Sequence, residues 1–145
     1  IIETLTDNKN RTASNIRKVL QKSGGRLGES GSTAHYFFPC GVLQIEKNKK
    51  FDEKILEISI NSGAKECVSS PKYHEILTER DDFYRIKKEF EDKVEEFIYF
   101  GIEWRPKVYL NISKEQTSSI LEMLENLDED EDVQNIYVNC NIILN

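Results

Sequence analysis

The chain has little that could carry covalent or metal chemistry. Its 145 residues include only two histidines, His35 and His74, and three cysteines. Cys40, Cys67 and Cys140 are odd in number, widely spaced and without a CxxC pair, and no histidine stands near them at metal-ligand spacing. A zinc knuckle and a disulfide framework are therefore excluded, and the cysteines read as reduced, buried strand thiols of an intracellular protein. Neither histidine belongs to an HxxxH or HxE pair or to a serine or cysteine nucleophile motif, so no catalytic constellation is legible and no cofactor or metal is expected. His35, beside Tyr36-Phe37-Phe38, reads as a strand residue.

Other absences narrow the field further. No run approaches the roughly 18 apolar residues of a membrane span, and no signal peptide is expected. The segment GGRLGESGS is neither GxxxxGK[ST] nor a GxGxxG following a strand, because it follows a helical pattern, so nucleotide hydrolysis is not expected. No helix-turn-helix, zinc finger or basic zipper is visible. There is no low-complexity segment. The opening Ile1-Ile2-Glu3-Thr4-Leu5-Thr6 has no initiator methionine and reads as a strand already under way, so upstream material is expected.

What is present is a mixed-charge globular composition. Hydrophobic residues make up 38% and aromatics 10%, enough for one ordinary domain or two small ones. The net charge is −6, so any polyanion binding must come from a patch. Residues 8–28 supply one: Lys9, Arg11, Arg17, Lys18, Lys22 and Arg26 stand there with no acidic residue among them. At about 100° per residue, Arg11, Lys18 and Lys22 share one outward stripe of a helix, opposite Ala13, Ile16, Val19 and Leu20, while Arg17 stands apart. Gly24, Gly25, Gly28 and Gly31 follow, expected to let backbone amides approach the same partner.

Element signals order the rest. A helix is predicted over 12–22, ended by Ser23-Gly24-Gly25. Strands are expected over 34–38, stopped by Pro39, and over 41–46, followed by a turn at 47–50. Residues 52–62 mix both periods, with Asp52 and Gly63 favouring helix. Strands at 66–70 and 74–78, a helix over 81–94 and a strand over 97–103 follow. A further strand is read over 108–112, then a helix opened by the Ser113-x-x-Gln116 capping box with Thr117, Ile120, Leu121, Leu124 and Leu127 on its core face. Val133 to Val138 reads as a closing strand. The order within 41–103 is β-α-β-β-α-β, that of a ferredoxin-like unit. The fold class expected is α+β: two small alpha-beta domains, with the ferredoxin-like domain (40–105) inserted into an outer domain made of 1–39 and 106–145.

Three segments resemble the YebC family, which includes bacterial proteins described as transcriptional regulators and the mitochondrial translational activator of cytochrome c oxidase subunit I. They are Thr6-Asp7-Asn8-Lys9-Asn10-Arg11-Thr12 with Ile16-Arg17; Gly24-Gly25-Arg26-Leu27-Gly28 with Gly31-Ser32, Phe38 and Gly41-Val42; and Leu124 to Asn139. Ser62-Gly63-Ala64-Lys65-Glu66 and Glu103-x-x-Pro106 also match. The resemblance implies an α+β domain carrying a ferredoxin-like insertion, preceded in the family by an N-terminal helical domain that this chain lacks. It further implies a non-enzymatic, ribosome-associated translation factor touching ribosomal or transfer RNA, or alternatively a DNA-binding transcriptional regulator. The family's usual histidine is replaced by Val138, and GIEWRP and the tail 140–145 depart from the common form. These departures suggest an organellar member: mitochondrial matrix if eukaryotic, bacterial cytoplasm otherwise.

On this reading Lys9, Arg11, Arg17, Lys18, Lys22, Gly24, Gly25, Arg26, Gly28 and Gly31 face nucleic acid; the alternative is a solvated helix face and a loop shaped by its glycines. The seven carboxylates of Glu122 to Asp132 lack EF-hand spacing. They read as a solvated helix end, or as a partner for the basic helix or another basic surface. Trp104 beside Arg105 reads as a packing aromatic, with base stacking as the alternative.

Overall fold

The computed structural model describes residues 1–48, 52–94 and 96–142. Lys49 and Lys50 of the predicted turn and residues 143–145 of the tail lie outside them. Contacts divide the chain into two compact units, one of residues 1–38 and 105–145, the other of 39–104.

In the first unit, β1 (Ile2–Thr4) pairs antiparallel with β7 (Val133–Ile136), Ile2 opposite Ile136. Helix α1 (Lys9–Lys22) begins three residues before the predicted start, because the Asn8 side chain caps it by accepting from the Arg11 amide at 3.1 Å. Helix α4 (Lys114–Asp128) opens with the expected capping box: the Gln116 amide donates to Ser113 Oγ at 3.2 Å and the Ser113 amide donates to Gln116 Oε1 at 2.9 Å. Ile16 of α1, Leu127 of α4 and Val133 of β7 form the buried centre, ringed by half-buried Ile2, Val19, Leu20, Leu27, Met123 and Ile136. The strand expected over 108–112 shrinks to β6 (Leu110–Asn111), which pairs in parallel with β8 (Cys140–Asn141).

The predicted strand over 34–38 is a correction. Ala34–Tyr36 is a 3-10 turn, so exposed His35 is not a strand residue, and β2 (Phe37–Glu46) runs straight through Pro39. Pairing of β2 with the strand Tyr73–Glu79 starts only at Cys40, opposite Glu79, so that strand asks no amide of Pro39.

In the second unit the elements are β2, α2 (Asp52–Ser62), β3 (Glu66–Ser69), β4 (Tyr73–Glu79), α3 (Phe83–Glu91) and β5 (Phe97–Pro106). The sheet order β3-β4-β2-β5 places the first and third strands of the β-α-β-β-α-β run in the centre, the ferredoxin-like arrangement. Leu43, Ile45, Ile76, Ile55, Ile58, Phe83, Ile86 and Phe90 form its core. Each such side chain contributes about 1.5–3 kcal/mol through burial. The mixed period of 52–62 has a physical source: α2 buries Ile55 and Ile58 but leaves Leu56 and Ile60 exposed. Gly41 fits closely here. A Cβ at that position would lie 2.8 Å from Phe83 Cβ and would also strike the Thr78 hydroxyl. Cys40 is buried, while Cys67 and Cys140 are half-buried, and none of the three forms a disulfide with a described residue.

Candidate nucleic-acid interface

All ten residues read from the sequence as polyanion-facing lie in the first unit, and all ten are exposed. Helix α1 carries Lys9, Arg11, Arg17, Lys18 and Lys22, and its buried side is fixed by Thr12 and Ile16. The basic residues do not share one state. Arg11 Nη2 is held by Asp7 Oδ1 and Asp132 Oδ2, both at 3.0 Å. Lys9, Arg17, Lys18, Lys22 and Arg26 form no ion pair with any described residue.

Asp132 is the hub of this end of the unit. It accepts from Thr12 Oγ1 at 2.5 Å, from Thr6 Oγ1 at 3.0 Å and from Arg11. The hydrogen bonds from Thr12 and Arg11 hold its carboxyl below the usual carboxylate range. Two residues earlier, Asp130 Oδ2 accepts from Asn15 at 3.1 Å. The acidic run therefore meets the basic helix at Asp130 and Asp132, and α1 is locked against the loop after α4. Arg11 thereby serves as an anchor of α1, and the outward stripe retains Lys18 and Lys22 as its unpaired cations.

The glycine segment also divides. Ser23 ends α1, the Gly24 amide donates to Gln21 O at 3.1 Å and the Gly25 amide to Leu20 O at 2.7 Å, a Schellman cap. Gly24 sits at φ +79°, where a side chain is strained. The amides of Gly24 and Gly25 are thus spent on the helix end and do not face a partner, contrary to the sequence expectation. Among the described residues no acceptor meets the amides of Gly28 and Gly31, which stay with Arg26 in an exposed, irregular loop.

One cluster escaped sequence reasoning. In the second unit, buried His74 of β4 has Nε2 2.8 Å from Asp52 Oδ1 and Nδ1 2.7 Å from Ser69 Oγ. The carboxylate can only accept, so Nε2 carries the proton in the neutral ring and Nδ1 accepts from the serine. The contact with His74 holds the Asp52 carboxyl below its ordinary range. The chain of bonds ties the start of α2 to the β3–β4 hairpin. Ser69 and His74 are opposed in the strand register, a relationship that no local motif announces. Trp104 is half-buried in β5.

Residues 1–140 match the family described as TACO1/YebC second and third domain. The chain belongs to the TACO1/YebC family. It is 45% identical over 141 residues to a probable transcriptional regulatory protein of Pelagibacter ubique, covering 97% of this chain and 58% of that protein. To a probable transcriptional regulatory protein of Zymomonas mobilis it is 38% identical over 142 residues, covering 98% and 57% respectively. It superposes with a TM-score of 0.84 on the crystal structure of a conserved hypothetical protein of Aquifex aeolicus, at 30% identity, covering 98% of this chain and 59% of that one. The chain thus spans less than three-fifths of each of these relatives. The TACO1/YebC relatives named here come from bacteria, and nothing among them supports the mitochondrial lean drawn from Val138 and the tail.

Proposed function

We propose that this chain is the nucleic-acid-facing part of a bacterial gene-expression regulator that acts by binding phosphates, without chemistry of its own. The observation that supports this reading best is the set of exposed cations Lys9, Arg17, Lys18, Lys22 and Arg26, unpaired among the described residues on a chain of net charge −6. Leaving positive groups solvated and unneutralised on an acidic protein favours an external polyanion. Arg11, Thr12 and Asp132 would hold the helix that presents them. The names of the relatives favour a transcriptional setting, with DNA as the polyanion.

A second reading is a translation factor that touches ribosomal or transfer RNA. The exposed loop from Arg26 to Gly31 favours it, because irregular backbone with amides to offer suits a folded RNA surface better than a regular duplex groove.

The two readings separate by experiment. Binding to promoter-length duplex DNA and co-sedimentation with ribosomes are measured for the protein and for K18E/K22E. The exchange keeps Arg11, so the α1 anchor survives. A loss of DNA binding in the variant supports the first reading, and a loss of ribosome association supports the second. Unchanged binding in both assays refutes phosphate contact by α1.

A further inference from the structure

The geometry points to a stacking platform for an unpaired nucleobase at His35 and Tyr36, which rests on the phosphate-binding reading and narrows its ligand to single-stranded nucleic acid. The glycine loop runs directly into the 3-10 turn that carries these two residues, joined by the Ala34 amide donating to Gly31 O at 3.1 Å. The two rings lie against each other in a tilted contact, with centroids 3.9 Å apart and planes inclined by 39°. Tyr36 is 56% exposed, so one face of its ring is open to solvent. The next residue, Phe37, is extended and 7% exposed, so the turn is anchored inward while its aromatic pair points out.

The neighbouring strand end extends this surface. The Lys107 amide donates to Tyr36 O at 2.9 Å, bringing alongside a segment in which Val108, Tyr109 and Leu110 are all exposed. Along the chain, a phosphate-seeking part from Lys18 through Arg26 is followed by an exposed aromatic pair, with Val108 to Leu110 joined to it through Lys107. Cations on the backbone and flat rings under the bases are the two components of single-strand binding sites, whereas a duplex hides its base faces and uses only the first. Charge selects nucleic acid over an apolar protein surface as the occupant. The chemistry recognised is an unpaired base with its flanking phosphates, common to RNA and DNA.

The test uses fluorescein-labelled 12-nucleotide single strands of RNA and of DNA and the matching DNA duplex, with binding read by anisotropy at low salt. The proteins are the parent chain, Y36A, Y36F and K18E/K22E, each checked for an unchanged thermal melt. The expected result is tighter binding of a single strand than of duplex. Y36A weakens single-strand binding roughly 5- to 150-fold, the range of one base–aromatic stack, and leaves duplex binding unchanged, while Y36F retains both. Iodouracil-substituted strands crosslink to Tyr36 or His35. A preference for RNA or for DNA identifies which source the site takes, and either upholds the platform. The platform is overturned if Y36A binds single strands like the parent while K18E/K22E still loses binding, the result also expected if a protein surface covers these rings. If no oligonucleotide binds in a salt-dependent way, the phosphate reading falls and the platform falls with it.

Discussion

Thr12 of α1 donates its hydroxyl to Asp132 across 2.5 Å, linking residues 120 positions apart. This bond joins two of the segments that carry the family resemblance, Thr6 to Thr12 and Leu124 to Asn139. The first carries the donors, Thr6, Arg11 and Thr12; the second carries the acceptor.

Replacing Thr12 by valine keeps the shape of a buried side chain and removes one donor. The expected cost is about 1.5–3 kcal/mol, the usual loss for a hydrogen bond to a charged acceptor. Urea unfolding of T12V against the parent measures it. An unchanged midpoint would mean that α1 is held by Ile16 and its apolar neighbours alone.

Acid should loosen both units. The Asp132 and Asp52 carboxyls are each held below their ordinary values, by Thr12 and Arg11 in one case and by His74 in the other. A carboxyl with a depressed folded-state pKa contributes fully above its unfolded value, about 4. That contribution is lost as pH falls through the folded value, because the unfolded chain takes up the proton first. Thermal melts should therefore be insensitive to these groups near neutrality and fall progressively below about pH 4. D132N should start lower at neutral pH and show a shallower acid slope. An equal slope in D132N and the parent would remove Asp132 from the account.

Two glycines should respond differently to alanine. G41A pushes a methyl group against Phe83 and Thr78 in the core of the second unit, and the expected cost is about 1–3 kcal/mol from overpacking. G24A meets no atom within 4 Å but must hold φ near +79°, for a cost of about 1–2 kcal/mol. Chemical denaturation of the two variants tests both values. A neutral G24A would show that the helix end relaxes out of the Schellman cap.

The α+β class and the ferredoxin-like order were legible because periodicity, capping and turn residues are local signals. Ser113 and Gln116 lie three positions apart, so their box can be read from the chain. Pro39 misled the reading because a proline forbids only its own amide from donating, and whether that amide is needed depends on which strand lies alongside. The basic stripe was legible as charge, but not the engagement of Arg11 with Asp132 or the spending of the Gly24 and Gly25 amides on α1. The Asp52–His74–Ser69 chain was invisible for the same reason: strand pairing and helix docking create it, and no spacing encodes it.

Binding of nucleic-acid phosphates by the unpaired cations of α1 and its loop is read from the slope of log binding constant against log salt, measured for the parent and for K18E/K22E on duplex DNA. Five phosphate contacts predict a slope of about −4.5, and removal of two predicts about −2.7. Identical slopes for the two proteins would contradict the claim, because Lys18 and Lys22 would then release no counterions on binding.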